Sequence, residues 1–187
     1  APRCRASPDA RGSAPRAPRH ISGPMKLQGV FFPGRVCSMS FASHMEAALR
    51  QARAAAERGE VPVGAVLVSA RGDVLAEAGN RTRELCDPTA HAEMLVIREG
   101  SAKLGSERLT GCHLYVTLEP CPMCAAAISN ARIARLYYGA DDPKSGGISV
   151  GPRVFAHPQA HHVPEVYDGM AAEESAALLK AFFASKR

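Results

Sequence analysis

No stretch of this 187-residue chain is long and apolar enough to span a membrane as a helix, which removes the membrane-helix classes. Nor do its six cysteines, at 4, 37, 86, 112, 121 and 124, form the paired framework of a small secreted domain. Two lie in an N-terminal stretch of unusual composition, and two stand three apart where a metal suits them, so a reducing compartment, the cytoplasm, is expected. A net basic charge on the body of the chain is missing too. Residues 1–38 hold Arg3, Arg5, Arg11, Arg16, Arg19, Lys26 and Arg35 against Asp9, a balance of +6 where the whole chain has +5, so the remainder sums to −1. The overall basic balance is therefore no argument for nucleic-acid binding by the folded part, and any such footprint must be local.

Residues 1–38 also lack apolar periodicity until Val30-Phe31-Phe32. Their Pro, Arg, Ser and Gly content predicts disorder, leaving one domain over 39–187. An Arg-rich, acid-poor start has the composition of an organelle transit peptide, but neither a hydrophobic signal core nor a small-residue cleavage site is evident. We read the stretch as upstream sequence ahead of a start at Met39 or Met25.

The remaining chain alternates strand and helix. Met45, Ala48, Leu49, Ala52 and Ala56 keep helical spacing, with Ser43 placed to cap the helix and Gly59 to stop it. Val61–Ser69 and Val74–Ala78 flank the turn Ala70-Arg71-Gly72-Asp73 as a hairpin. Residues 80–90 read as loop, followed by a helix over 91–104. Then come a strand over 112–118, a helix to about Asn130, and a strand over 133–138 closed by Gly139. Val150–Phe155 is expected as a short last strand, 156–169 as irregular, and 171–186 as a terminal helix with a stripe of Ala177, Leu178 and Phe182. This rhythm belongs to an α/β sheet with crossovers, whose sites form at the carboxyl ends of strands.

The chemistry concentrates in Thr117-Leu118-Glu119-Pro120-Cys121-Pro122-Met123-Cys124, taken with His91-Ala92-Glu93. Proline beside the first cysteine and the apolar Ala125-Ala126-Ala127-Ile128 run after the second put both sulfurs on the opening turn of a helix. Helix amides and a bound cation both favour thiolates, and zinc takes two thiolates and an imidazole in tetrahedral geometry. Cys121, Cys124 and His91 supply those three ligands. Glu93 does not share His91's coordination sphere, but from the same helical turn it reaches a water in the open fourth position. His-x-Glu followed by Pro-Cys-x-x-Cys is the established signature of zinc nucleobase deaminases, and this chain matches it in full.

Other residues carry weaker signals. His113, in a strand, and His161-His162, in a loop, read as ordinary polar residues. Cys86 and Cys112 read as buried thiols, either of which would close the metal site if it served as a fourth ligand. Glu119 is read as tying a loop by hydrogen bonds rather than as a second carboxylate at the metal. Phe182-Phe183 with Lys186-Arg187 is either a core stripe with a basic end or a nucleic-acid contact.

The runs Glu60-Val61-Pro62-Val63-Gly64-Ala65-Val66-Leu67-Val68, Gly79-Asn80-Arg81, Asp87-Pro88-Thr89-Ala90-His91-Ala92-Glu93, Leu114–Cys121 and Ala131-Arg132-Ile133 extend the match well beyond the metal ligands. Over about residues 41–187 the chain resembles the bacterial tRNA-specific adenosine deaminases, a branch of the cytidine and deoxycytidylate deaminase superfamily. The resemblance implies an α/β, three-layer helix-sheet-helix fold around a five-stranded mixed sheet, a homodimer, and one Zn2+ per subunit. It also implies hydrolysis of the wobble adenosine of an arginine tRNA to inosine, with the anticodon stem-loop as partner. By the same resemblance His91, Cys121 and Cys124 are the zinc ligands and Glu93 the proton shuttle. Asn80 contacts the flipped base, and Lys144 in the 141–147 loop, with Phe182, Phe183, Lys186 and Arg187, grips the anticodon loop. Two rivals remain: a free-base enzyme, guanine deaminase above all, whose sequences share the Asp-Pro-Thr-Ala-His-Ala-Glu run, and a non-catalytic zinc module, which requires a fourth protein ligand.

Overall fold

The computed structural model describes residues 41–186, so the expectation for 1–38 and the site residue Arg187 lie outside the described residues. In chain order the elements are α1 (Phe41–Glu57), β1 (Gly64–Val68), β2 (Val74–Gly79), α2 (Ala92–Leu104), β3 (His113–Leu118), α3 (Pro122–Asn130), β4 (Arg135–Ala140), β5 (Glu165–Tyr167) and α4 (Ala172–Ala184). The five strands form one mixed sheet in the order β2-β1-β3-β4-β5. β1 runs antiparallel to β2 and β3, and β3, β4 and β5 are parallel.

Side chains alternate across a strand, so the register decides which residues form which core. Val66, Tyr115, Tyr137 and Tyr167 lie in one row across β1, β3, β4 and β5. This row faces Met45, Ala47 and Ala48 of α1, on the side that also carries α4. The adjacent row, Leu67, Leu114, Leu136 and Val166, points the other way, into a larger core with Ala92, Val96 and Ile97 of α2 and Ala125 and Ile128 of α3. Leu67, Leu114, Leu136 and Ile128 are fully buried, each contributing about 1.5–3 kcal/mol relative to exposure. The sheet is thus covered by helices on both faces, as the three-layer expectation required.

Close approach of α1 depends on paired glycines. Gly64 and Gly79 face each other across β1 and β2, and a β-carbon on either would strike the α1 backbone, at Ala48 and Gln51 respectively. No helix among the described residues is long and apolar enough to cross a membrane.

Several local expectations are corrected. Ser43 lies inside α1 rather than capping it. Gly139 is within β4, not its stop, where its missing side chain admits Ser175 of α4. Val150–Phe155 is not a strand: Phe155 is buried through a single 3-10 turn, Val154–Ala156. The fifth strand is instead Glu165–Tyr167, inside the segment expected to be irregular. Along α4 the packed side chain is Ser175, while Ala177 is exposed.

Candidate metal centre

Two helix N-termini meet at the carboxyl end of β3. Cys121 is the N-cap of α3, in extended conformation with Pro122 at the first helical position, where a missing N–H costs nothing. Cys124, one turn on, is 0% exposed. His91 is the N-cap of α2, also extended. Asn80, at the end of β2, holds this second helix start in place: its Oδ1 accepts the Ala92 N–H at 2.8 Å, and its own N–H donates to the Val63 carbonyl.

These helix starts bring three ligand atoms together. His91 Nδ1 lies 3.7 Å from Cys121 Sγ and 3.5 Å from Cys124 Sγ. Tetrahedral zinc, with bonds of about 2.3 Å to sulfur and 2.0–2.1 Å to nitrogen, requires an N···S edge of about 3.6 Å. The donor set and its spacing therefore fit one zinc ion, with all three atoms within 4.8 Å of one another. Among the described residues no fourth ligand joins them. Cys86 is exposed and Cys112 is buried in the α2/α3 core. His113 packs against Tyr137 on the opposite face of the sheet, and His162 Nε2 meets the Ile133 carbonyl at 2.9 Å. His161 is exposed. A zinc ion held by these three residues would keep one position for water, which a structural zinc module does not leave.

The electrostatics agree with thiolate ligation. Hydrogen bonding from Cys124, and then from His91, holds the Cys121 thiol down, to about 4. Facing that sulfur and buried, Cys124 is pushed up. The Cys121 contact raises His91. A divalent cation at the centre of the three favours loss of the second thiol proton as well. Glu93 is 3% exposed, and burial raises its carboxyl above the usual range against the opposing pull of its own backbone N–H. Among the described residues its Oε2 is buried with no hydrogen-bond partner, while the carboxyl as a whole also feels the neighbouring Cys124 thiol. A carboxyl beside the metal ligands, shifted up and with a free oxygen, is suited to exchanging a proton.

The remaining sequence-predicted residues divide. Asn80 sits at the start of α2 beside His91, 6% exposed, with Oδ1 occupied by Ala92 and no partner for Nδ2 among the described residues. Lys144 is exposed on a loop whose turn is shaped by Asp142 Oδ1, which accepts the N–H groups of Lys144 and Ser145. Phe182 and Phe183 pack edge to face at 5.4 Å, with Lys186 Nζ 5.4 Å from the Phe182 ring centre. No hydrogen bond or ion pair connects this α4 cluster to the pocket among the described residues.

Glu60 is a residue the sequence reading passed over. It is 1% exposed, and its carboxylate accepts the Thr82 hydroxyl and the N–H groups of Arg83 and Glu84, fastening the loop that follows Asn80. The available signal was a charged residue leading directly into the apolar Val61–Val68 run. Glu119 ties a loop, as expected, and does not join the metal ligands.

Comparison with known proteins adds to the geometry. The family described as the cytidine and deoxycytidylate deaminase zinc-binding region matches residues 40–140. A tRNA-specific adenosine deaminase of Agrobacterium fabrum is 62% identical over 76% of this chain and 93% of its own length. The chain belongs to the tRNA-specific adenosine deaminases of this zinc-binding family. The Bacillus subtilis member is 44% identical over 77% of this chain and 89% of its own. A solved structure from work on A-to-I editing by tRNA:A34 deaminases at the wobble position superposes with a TM-score of 0.72 at 62% identity. It covers 73% of this chain and 99% of that one. Guanine deaminase from Nitrosomonas europaea shares the fold at a TM-score of 0.67 and 23% identity, covering 78% of this chain and 85% of that one.

Proposed function

We propose that this protein hydrolyses adenosine to inosine at position 34, the wobble position, of a tRNA anticodon, with an arginine tRNA as the substrate. The observation that carries the reading is the open His91–Cys121–Cys124 centre beside the unpartnered Glu93 oxygen. The 62% identity to a tRNA-specific adenosine deaminase supports the substrate class.

His91 Nδ1 and the two sulfurs would hold zinc, one ion per subunit. When bound in such a site, zinc acidifies water to a pKa of roughly 7 and so supplies a nucleophile at neutral pH. Glu93 takes the water proton and delivers protons to the purine ring nitrogen and to the departing amine, so that adenine and water become hypoxanthine and ammonia. Burial favours the protonated form that Glu93 adopts between these two transfers. Asn80 Nδ2 donates to an acceptor on the extruded base, while Oδ1 keeps α2 in place. Lys144, Phe182, Phe183, Lys186 and Arg187 contact the flanking nucleotides by phosphate pairing and stacking. The protein acts as a homodimer in the cytoplasm, where thiols stay reduced, and the deaminase unit is residues 39–187.

Parallel assays of an arginine tRNA anticodon stem-loop, free adenosine and free guanine test this reading. Inosine in the stem-loop with negligible turnover of the small substrates is expected. Efficient guanine turnover with an inert stem-loop would overturn the tRNA assignment and leave the zinc chemistry standing.

A further inference from the structure

Glu119 links the metal-bearing turn to the loop that follows β4. The side chain is 2% exposed and points into the 141–150 loop. Oε1 accepts the N–H groups of Ile148 at 3.0 Å, Ser149 at 2.8 Å and Val150 at 3.4 Å, and Oε2 accepts that of Asp142 at 3.1 Å. Amides from both ends of the loop thus converge on one carboxylate. No Lys or Arg pairs with it among the described residues, so backbone dipoles alone balance its charge.

The loop also rests directly on the ligand turn. Gly147 donates its N–H to the Pro120 carbonyl at 2.9 Å. A β-carbon on Gly147 would lie 2.6 Å from Pro122 N, and one on Gly146 would lie 2.5 Å from Glu119 Oε2. Glu119-Pro120-Cys121 therefore carries the loop's anchor and a zinc-binding sulfur within three residues. From Glu119 the chain of contacts runs through Asp142, whose side chain shapes the turn bearing Lys144.

We propose that Glu119 is a positioning residue: it locks the 141–150 loop in register with the Cys121 turn, so that RNA held by the loop is presented to the metal centre. The RNA part rests on the function proposed above. A glutamine of the same shape can satisfy one end of the loop but not both, because its amide NH2 faces an N–H. Aspartate keeps the charge and both acceptors on a shorter arm.

The test compares the zinc-loaded full chain with Glu119→Gln and Glu119→Asp. Zinc content, melting temperature, KM and kcat on the anticodon stem-loop, and amide exchange would be measured together. Glu119→Gln is expected to keep full zinc while KM rises about ten-fold and kcat changes by less than about three-fold, with Glu119→Asp recovering part of the loss. Exchange should accelerate at 142–150 and stay unchanged in β1 and β3. An unaltered KM beside a lowered melting temperature would reduce Glu119 to a stability anchor and overturn the proposal, as would parallel loss of zinc and kcat. If Glu119→Gln does not fold, Glu119→Asp is read by the same criteria. If the unaltered chain leaves the stem-loop untouched, the substrate reading fails instead. Amide exchange, which needs no substrate, then decides: acceleration confined to 142–150 upholds the lock, and none, or acceleration spread over the sheet, refutes it.

Discussion

Cys124, at the metal centre, is 0% exposed and lies on a helix start whose leading residues are tied by backbone bonds to Ala140 of β4 and to Gly147, whereas Phe183, on α4, is 51% exposed. Both regions hold residues proposed for the reaction, yet only the first is rigidly built. Around the pocket, Asn80, Glu60 and Glu119 each spend a buried polar side chain on fixing backbone. From residue 176 to 186, α4 makes no hydrogen bond or ion pair to another element among the described residues; its link to α1 is the Arg53–Glu174 ion pair one turn earlier. Chemistry demands fixed distances, and gripping a flexible nucleic acid tolerates adjustment.

The largest effect should come from the metal ligands. Cys124→Ala and Cys121→Ala are each expected to lose zinc and fold poorly, because the site's binding free energy is coupled to folding. Full metal stoichiometry and an unchanged melt would show that the pocket is less integral than its burial suggests. Next, Glu93→Ala should keep zinc while turnover falls by about 10²–10⁴-fold, since Glu93 moves protons without holding the metal. Zinc and turnover measured on one preparation check this, and zinc loss would make Glu93 a ligand. Asn80→Ala leaves the buried Ala92 N–H unpaired, which should destabilise the protein by about 1–3 kcal/mol by denaturant titration.

The other side of the contrast predicts smaller, selective changes. Removing residues 180–187 should raise KM for the stem-loop by about ten-fold, equivalent to about 1.4 kcal/mol of lost binding. The melting temperature should move little. A large drop in melting temperature would mean that α4 is as built-in as the pocket. Smallest is an acid effect at Glu60. Burial raises its carboxyl, but the Glu84 and Arg83 amides and the Thr82 hydroxyl outweigh it and hold the group below its ordinary value. The stability it contributes is therefore present above the unfolded carboxyl's pKa, about 4.3, and is lost as pH falls through the lower folded value. Glu60→Gln should flatten the decline of stability with pH in that acid range and leave neutral-pH turnover nearly intact.

What could be read along the chain was local chemistry with short-range causes. Proline beside Cys121 sets a helix start, the Cys121 and Cys124 spacing puts two sulfurs on one turn, and His91 with Glu93 places an imidazole and a carboxyl two residues apart. The hairpin turn and the periodicity of α1 and α2 are of the same kind. The fifth strand was not legible, because Glu165-Val166-Tyr167 is only three residues long and becomes a strand through pairing with Arg135-Leu136-Tyr137 of β4. Conversely, the Val150–Phe155 run looked like a strand because burial of Phe155, with Val154 partly buried beside it, leaves the same apolar mark as sheet pairing.

Glu60 and Glu119 show where the division falls. As letters they are charged residues that favour water, and although the apolar run after Glu60 and the proline after Glu119 hint at a structural role, neither names the partners. Only the fold brings amides from 23 to 31 residues away to each carboxylate. The sequence alone thus determined which groups could bind zinc and move a proton, since those depend on residue type and helical spacing. The tertiary structure decided which loops are locked beside them, because a buried charge is stable only where distant backbone donors converge on it.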